Sequence, residues 1–215
     1  MTIRLGFFGA GLISGVHTWM LRDVDVDHKI VAVCDPDAER AGMMAKRFGA
    51  AVVDEDELFD MVDAVFITCW TNEHERLVAK AAAKGLSIFC EKPLAFDATA
   101  ATRMAETAEA AGIINQVGLV LRTAPAFRVM KHLIGDLRAG KTITIVFRDD
   151  QFIPNQGYYA SQWRMNKDLA GRGTLLEHSI HDIDILQWML GEVASVSCVT
   201  REHHGFDRID DLAAQ

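Results

Sequence analysis

The sequence predicts an α/β protein whose N-terminal half is a doubly wound parallel sheet, and three observations carry that prediction. Apolar runs of strand length alternate with helical patterns from residue 3 to residue 117. Those runs are apolar on both faces, as strands covered by helices on each side must be. Glycines close two of the helical patterns immediately before the next strand.

The strands read in order as IRLGFF, IVAVC, AVV, AVFIT, SIFC and IINQV, separated by segments that include the helical AERAGMMAKRF, HERLVAKAAAKG and TAATRMAETAEAAG. Short connections between successive segments favour right-handed crossovers and therefore parallel strands. Gly85 and Gly112 end the second and third of these helices, as C-cap glycines do. After Val117 the pattern changes. LVLRTAPAFRVMKHLIGDLRAG holds Pro125 and then a helix, and KTITIVFRDDQFI alternates as a longer, half-exposed strand. PNQGYYASQWRMNKDLAGRG reads as an ordered loop, LLEHSIHDIDILQWML as one helix and VASVSCVT as a strand. The domains are accordingly expected at 1–118 and 119–215.

Composition limits the functions open to this chain. Its 215 residues, 50% apolar and 24% charged, suffice to bury a core and suggest a soluble globular protein. A net charge of −8 and a pI near 5.4, without a Lys/Arg cluster, argue against nucleic acid or an anionic membrane as partner. The N-terminus runs into a strand without a leader pattern, and no eighteen apolar residues run together, so a cytoplasmic location is expected. Cys34, Cys69, Cys90 and Cys198 show no CxxC spacing and are read as reduced thiols. Repeats, low-complexity tracts and coiled-coil heptads are absent.

GAGLIS, Gly9 to Ser14, follows the first strand and opens a helix, the context a GxGxxG-type phosphate loop requires. Gly9 allows the tight turn and Gly11 the close approach of a pyrophosphate to the helix N-terminus. Ser14 stands in the third glycine's place, where a small residue still lets helix pack on strand. Asp35, about 20 residues on at the end of the second strand, is the carboxylate expected to accept from ribose hydroxyls. It also suits a helix cap or Asx turn in CDPDAERA, and the two roles are compatible. Its charge opposes a 2′-phosphate, and Arg40, the nearest cation, belongs to the following helix, so NAD is favoured over NADP.

Glu91-Lys92-Pro93 ends the strand SIFC, where open parallel sheets bind their ligands. Pro93 biases Lys92 toward extended backbone, and the Glu91 carboxylate favours a charged ammonium beside it. A plain surface turn is the alternative. In the predicted helix from Leu175, spacing puts Glu177, His181 and Asp184 at i, i+4 and i+7 on one face, beside an apolar stripe of Leu176, Ile180, Ile183 and Leu190. His181 is then a candidate proton acceptor oriented by Glu177. His178, displaced around the helix, is read as structural. Glu177, His178 and His181 are conceivable metal ligands, but the spacing is not HExxH and no metal is expected.

GAGLIS, CEKPLA at 90 to 95, VGLVLRTAPAF at 117 to 127 and GRGTLLEHSIHDID at 171 to 184, in that order, resemble the glucose-fructose oxidoreductase, inositol dehydrogenase and MocA (Gfo/Idh/MocA) family. The resemblance implies an NAD(P)-binding Rossmann domain, then an α/β domain with a broad, mainly antiparallel sheet through which copies of the chain would associate. It implies hydride transfer between nicotinamide and a sugar, polyol or related alcohol. It assigns catalysis to Lys92 and His181 with Glu177, the last standing where aspartate is usual. Cofactor contacts are expected at Gly9, Gly11, Leu12, Ile13, Asp35, Thr68, Trp70, His74, Glu91 and Lys92, and substrate contacts at Arg122, Trp163, Arg164 and His178, with packing and a surface ion pair equally ordinary roles for Trp163 and Arg164. Trp70 stands where proline is frequent and is expected to reshape the nicotinamide edge. Family members usually exceed this length, so either a C-terminal truncation or strands supplied from elsewhere are expected. Two other functions remain open, a family-like NAD-dependent glycoside hydrolase using transient oxidation and a non-catalytic nucleotide-binding sensor or fragment.

Overall fold

The computed structural model describes residues 1–149, 161–203, 205, 206, 209 and 212–214. The chain divides into two compact units, Met1–Gly118 and Leu119–Gln215. In the first unit β1 (Ile3–Phe8), α1 (Leu12–Met20), β2 (His28–Cys34), α2 (Ala38–Phe48) and β3 (Ala51–Val52) are followed by α3 (Glu55–Met61), β4 (Ala64–Ile67), α4 (Thr71–Ala83), β5 (Ser87–Cys90), α5 (Ala98–Ala110) and β6 (Asn115–Val117). The strands form one six-stranded sheet in the order β3-β2-β1-β4-β5-β6, every neighbouring pair parallel. This is the doubly wound α/β architecture of a Rossmann-like fold.

Alternation along the strands sends side chains to both faces, and both faces are covered. Phe8, Val65, Ile67, Ile88 and Cys90 pack with Leu58, Phe59, Leu77, Val78 and Met104 of α3, α4 and α5. Leu5, Phe7 and Ile30 face the other way, toward Leu21, Met44 and Phe48. On that side Phe7, Phe66 and Phe89 sit in register across β1, β4 and β5, with ring centroids 4.6 and 5.1 Å apart. Gly85 and Gly112 take positive φ after α4 and α5, which stops each helix and turns the chain toward its strand.

The second unit contains α6 (Pro125–Gly135), α7 (Lys167–Ala170), α8 (Thr174–Glu177), α9 (Ile180–Leu190) and an antiparallel pair, β7 (Val199–Arg201) and β8 (Leu212–Ala214). No broad antiparallel sheet is formed by the described residues. Of the strand expected over KTITIVFRDDQFI, residues 141–149 adopt no regular element and 150–153 lie outside the described residues. Ile143 and Val146 are 91% and 90% exposed. Alternation is a local pattern, whereas a strand needs a hydrogen-bonded neighbour, and none is described for this segment. In the expected loop, 154–160 lie outside the described residues, while the remainder holds a 3₁₀ turn at Gln162–Met165 and then α7.

The single helix read over LLEHSIHDIDILQWML is two helices. The N–H groups of His178 and Ser179 both turn to the Thr174 carbonyl, and the His181 N–H bonds the His178 carbonyl. His178, at φ −120° and ψ −55°, leaves the helical line between α8 and α9. Glu177 and His181 are therefore not neighbours on one continuous helix. The apolar stripe is also displaced: Ile183 and Leu190 are exposed, and the buried side of α9 carries Asp184, Ile185 and Met189. Periodicity detects neither a one-residue break nor a buried carboxylate that has found a partner. Among the described residues no helix is long and apolar enough to cross a membrane.

Candidate functional site

In the first unit the chain runs outward from β1 to β3, then returns to the other side of β1 with β4, so strand order reverses between β1 and β4. Ligands of open parallel sheets bind outside the strand ends at such a reversal. The helices leaving those two strands differ from the rest. α2, α3 and α5 are capped by the side chains of Asp37, Asp54 and Asp97. α1, whose N-cap is Gly11, and α4, whose N-cap is Trp70, have no side-chain cap. First-turn N–H groups have no intrahelical acceptor, so both starts retain capacity for an acceptor from outside.

The turn into α1 is built around Gly9. Its φ is +95°, and an added Cβ would stand 2.8 Å from the Thr68 carbonyl oxygen and 2.9 Å from the Cys69 nitrogen. Ser14 is fully buried and its hydroxyl donates to the Gly9 carbonyl at 2.7 Å, with the Thr68 hydroxyl 2.8 Å away. Thr68 Oγ1 lies 2.9 Å from the Phe8 carbonyl and 3.2 Å from that of Gly9. The third-glycine position thus stitches α1 to the ends of β1 and β4, and Thr68 acts through this stitch. Gly11 differs, since a Cβ there would meet nothing within 4 Å. No neighbour demands a glycine at 11, and open space lies where its side chain would be.

Asp35 reaches back from the end of β2 to the glycine turn. One carboxylate oxygen accepts the Ala10 N–H at 2.6 Å and the other the Asp37 N–H at 2.8 Å, an Asx turn, with Arg40 3.4 Å from the latter. The cap of α2 is Asp37, which accepts from the N–H groups of Glu39 and Arg40. Arg40 does lie on α2, and it leans on both aspartates. Each Asp35 oxygen retains acceptor capacity for a hydroxyl donor. These features fit a dinucleotide: a turn clear of side chains, an uncapped helix start and a carboxylate with lone pairs remaining. Leu12 and Ile13, in the first turn of α1, are partly exposed and contribute main-chain N–H groups there.

At the end of β5 Glu91 is buried, and its Oε2 accepts the main-chain N–H of Lys92 at 3.0 Å. Its Oε1 lies 2.6 Å from His17 Nε2 on α1, a partner the sequence reading did not find. Burial alone would push the Glu91 carboxyl up. The His17 hydrogen bond and charge, the Lys92 N–H and the Lys92 ammonium together hold it below its ordinary value. Lys92 itself is partly buried, and the Lys92–Pro93 peptide is cis. His74, expected as a cofactor contact, is 1% exposed. Its ring nitrogens face the carbonyls of Pro93 and Leu94, at 3.1 and 3.3 Å, and of Cys69, at 3.3 Å, so it braces the loop after β5 against that after β4. Burial pushes its imidazole below the ordinary value, against the pull of those carbonyls.

In the second unit Arg122 makes a forked pair with Asp184, Nε standing 2.9 Å from Oδ2 while Nη2 bonds Oδ1. Asp184 is buried and Arg122 half exposed, so the arginine expected at substrate is also the partner that neutralises a buried carboxylate. Arg164 Nε lies 3.6 Å from the buried Glu177, and its guanidinium stacks over the Trp163 ring at 4.7 Å. His178 Nε2 is 2.7 Å from Asp149 Oδ2. Its ring centroid lies 6.4 Å from that of His181, which is partly buried at the start of α9. Among the described residues no cluster of three or more His, Cys, Asp or Glu side chains could hold a metal ion. One signal of His17 was available in sequence: Ser14, His17 and Thr18, at i, i+3 and i+4, form a polar stripe in an otherwise apolar helix.

Residues 3–119 match the profile of the GFO/IDH/MocA oxidoreductase family, NAD-binding Rossmann fold, and residues 127–214 that of the GFO/IDH/MocA C-terminal domain. The chain is 32% identical to inositol 2-dehydrogenase 3 of Saccharopolyspora erythraea, over 99% of this chain and 61% of that protein. It is 28% identical to 1,5-anhydro-D-fructose reductase of Ensifer adhaerens, over 88% of this chain and 57% of that protein. The crystal structure of GenD2 from gentamicin A biosynthesis, in complex with NAD, superposes with a TM-score of 0.85 at 26% identity, covering 99% of this chain and 61% of that one. The chain thus spans about three fifths of the length of these proteins.

Proposed function

Because the chain belongs to the GFO/IDH/MocA oxidoreductase family, we propose that it serves an NAD-dependent oxidoreductase that interconverts a CH–OH group of a sugar or polyol and the corresponding carbonyl. The observation that carries this reading is the pair of uncapped helix starts flanking the strand-order reversal, with Asp35 on one side and Lys92 on the other. Bound nicotinamide supplies the hydride acceptor. The first-turn N–H groups of α1, over the clear turn at Gly9 and Gly11, receive the pyrophosphate, and Asp35 accepts from ribose hydroxyls. The hydroxyl proton leaves with the opposite polarity to the hydride and needs a base. His181 accepts it, and Lys92 donates a hydrogen bond to the oxygen as negative charge develops there. Glu177, which the break at His178 separates from the helix of His181, lies beside Arg164, while His74 and Thr68 act by fixing loops.

The Asp35 carboxylate favours NAD over NADP, since Arg40 already shares its charge between Asp35 and Asp37. The relatives' names point to a ring bearing several hydroxyls as substrate class. Residues 1–118 serve as the cofactor domain. Residues 119–215 belong to the substrate domain, in which β7 and β8 join a wider antiparallel sheet that pairs copies of the chain. A cytoplasmic setting suits the free thiols Cys34, Cys69 and Cys90, burial pushing Cys69 up to about 12. The test is to follow NADH formation with a panel of inositols, anhydrosugars and aldoses, beside fluorescence titrations with NAD and NADP. Substrate-dependent NADH formation and tighter binding of NAD are expected. Glycosidic cleavage without net NADH, or NAD binding with no turnover across the panel, would overturn the dehydrogenase reading.

A further inference from the structure

The part-buried pair His17–Glu91 has no part in the function proposed above, although it joins the helix of the glycine loop to the loop of Lys92. His17 lies on the sheet-facing stripe of α1, its ring edge-on to Phe89 with centroids 4.7 Å apart. The Nε2 atom so directed is 2.6 Å from Glu91 Oε1, and the two side chains are 14% and 8% exposed. The other carboxylate oxygen accepts the Lys92 N–H. Gly118 closes a third side: a Cβ there would stand 3.0 Å from Glu91 Cδ and from both carboxylate oxygens. The carboxylate is thus held by an imidazole and by a main-chain amide, and a side chain at 118 would crowd it.

We propose that His17 and Glu91 are positioning residues for Lys92, the imidazole fixing the carboxylate and the carboxylate fixing the main chain from which the lysine side chain springs. Among the described residues bonded to the carboxylate, His17 alone lies outside the Lys92 loop, on the helix whose first turn faces the phosphate site. The His17–Glu91 bond is short and largely shielded, where a hydrogen bond to a charged group holds geometry more firmly than at a surface. Burial alone would push the Glu91 carboxyl up, and the His17 hydrogen bond and the Lys92 main-chain N–H act against it. The inference rests on Lys92 being the catalytic lysine only for its effect on rate. Its effect on the Lys92 amide is independent of that reading.

The experiment compares the parent with His17→Leu, which keeps packing on Phe89 and removes the donor, and His17→Gln, whose amide nitrogen can restore it. Protein labelled with ¹⁵N-lysine reports the Lys92 amide, identified by its loss in Lys92→Arg. A carboxylate-bonded amide resonates downfield, so His17→Leu is expected to move it upfield, and His17→Gln to return most of the shift. In NADH formation, His17→Leu is expected to lower kcat on the order of 10²-fold, the scale of a 1 Å misplacement, with KM and the NAD dissociation constant changed about threefold or less. His17→Gln should recover at least half of that loss on a logarithmic scale. If His17→Leu does not fold, Gly118→Ala displaces the same carboxylate and is read by the same resonance.

An unmoved Lys92 amide in a folded His17→Leu or Gly118→Ala protein would overturn the proposal. So would a loss of rate matched by loss of NAD affinity, because His17 would then act through the phosphate loop. An amide that moves and returns as expected, in a parent that turns over no substrate, leaves the positioning pair standing and removes the dehydrogenase reading instead.

Discussion

The candidate-site residues of the two units are held by different means. In the first, most of their bonds run to main chain: Asp35 to the N–H groups of Ala10 and Asp37, the Thr68 and Ser14 hydroxyls to strand-end carbonyls, Glu91 to the Lys92 N–H, and His74 to three carbonyls. In the second, side chain meets side chain, in Arg122 with Asp184, Arg164 with Glu177 and His178 with Asp149. A group bonded to main chain takes its place from the sheet and its loops. A group bonded to another side chain takes its place from a pair, and one substitution removes it. On the proposed function, the first arrangement suits a cofactor whose shape does not vary, and the second suits contacts that must differ between substrates.

The sharpest test of this division separates binding from turnover. His181→Ala is expected to lower kcat about 10²- to 10⁴-fold, equivalent to roughly 3–5 kcal/mol of barrier, with NAD affinity within about threefold of the parent. Stopped-flow NADH formation and a fluorescence titration of NAD read the two quantities. Loss of NAD affinity comparable to the loss of rate would break the assignment of proton transfer to His181. Gly9→Ala attacks the other side. The positive φ and the 2.8 Å approach to the Thr68 carbonyl leave no room for a methyl, so unfolding free energy should fall by about 2–3 kcal/mol and NAD binding should fail. Denaturant unfolding with and without NAD checks both, and a stable variant that still binds would show the turn to be adaptable.

The same distinction explains what the sequence revealed. The parallel sheet, the glycine turn, Asp35 and Lys92 follow from strand-helix alternation and from placement at strand ends, which local periodicity encodes. His17 with Glu91 and Arg122 with Asp184 join positions 74 and 62 residues apart, and no periodic pattern carries such a pairing. Asp184 shows the consequence. A carboxylate on the buried side of α9 contradicts the apolar stripe expected there until its arginine is known. The break at His178 escapes for another reason, since one residue off the helical line changes neither composition nor spacing. His74 was legible as a polar residue near the site, but its burial depended on the loop after β5.

Arg122→Ala probes the pairwise arrangement directly. It leaves the Asp184 carboxylate buried without its fork, which for a fully enclosed pair costs about 3–5 kcal/mol. Arg122 is half exposed and water can replace part of it, so about 1–2 kcal/mol is expected. Urea unfolding of the single variants and of Arg122→Ala with Asp184→Asn, the second change removing the stranded charge, supplies the measurement. Partial recovery in the double variant is expected. Strictly additive losses would show that the fork contributes nothing as a pair.

The smallest effect is expected where the first unit departs from its own pattern and uses side-chain pairs at the surface. Glu55 at the start of α3 meets Arg76 at 2.5 Å and Lys80 at 2.5 Å, both from α4. The Arg76 hydrogen bond is the largest influence on the Glu55 carboxyl. With Lys80 it outweighs a partial burial that acts the other way, bringing the carboxyl from an ordinary 4.5 to about 2. A carboxyl whose folded pKa is depressed stabilises the fold above its unfolded pKa, and that contribution drains away as pH falls from about 4.5 through about 2. Exposure of both cations screens the pair and leaves about 1 kcal/mol. Thermal unfolding between pH 6 and pH 2.5 should therefore show Glu55→Gln less stable than the parent at the upper end, with the two curves converging as the pH falls. High salt should narrow the gap at pH 6, because the charges are within reach of counterions. Curves that stay parallel throughout would place the contribution of Glu55 in packing rather than in charge, and would remove this cluster from the contrast between main-chain and side-chain anchoring.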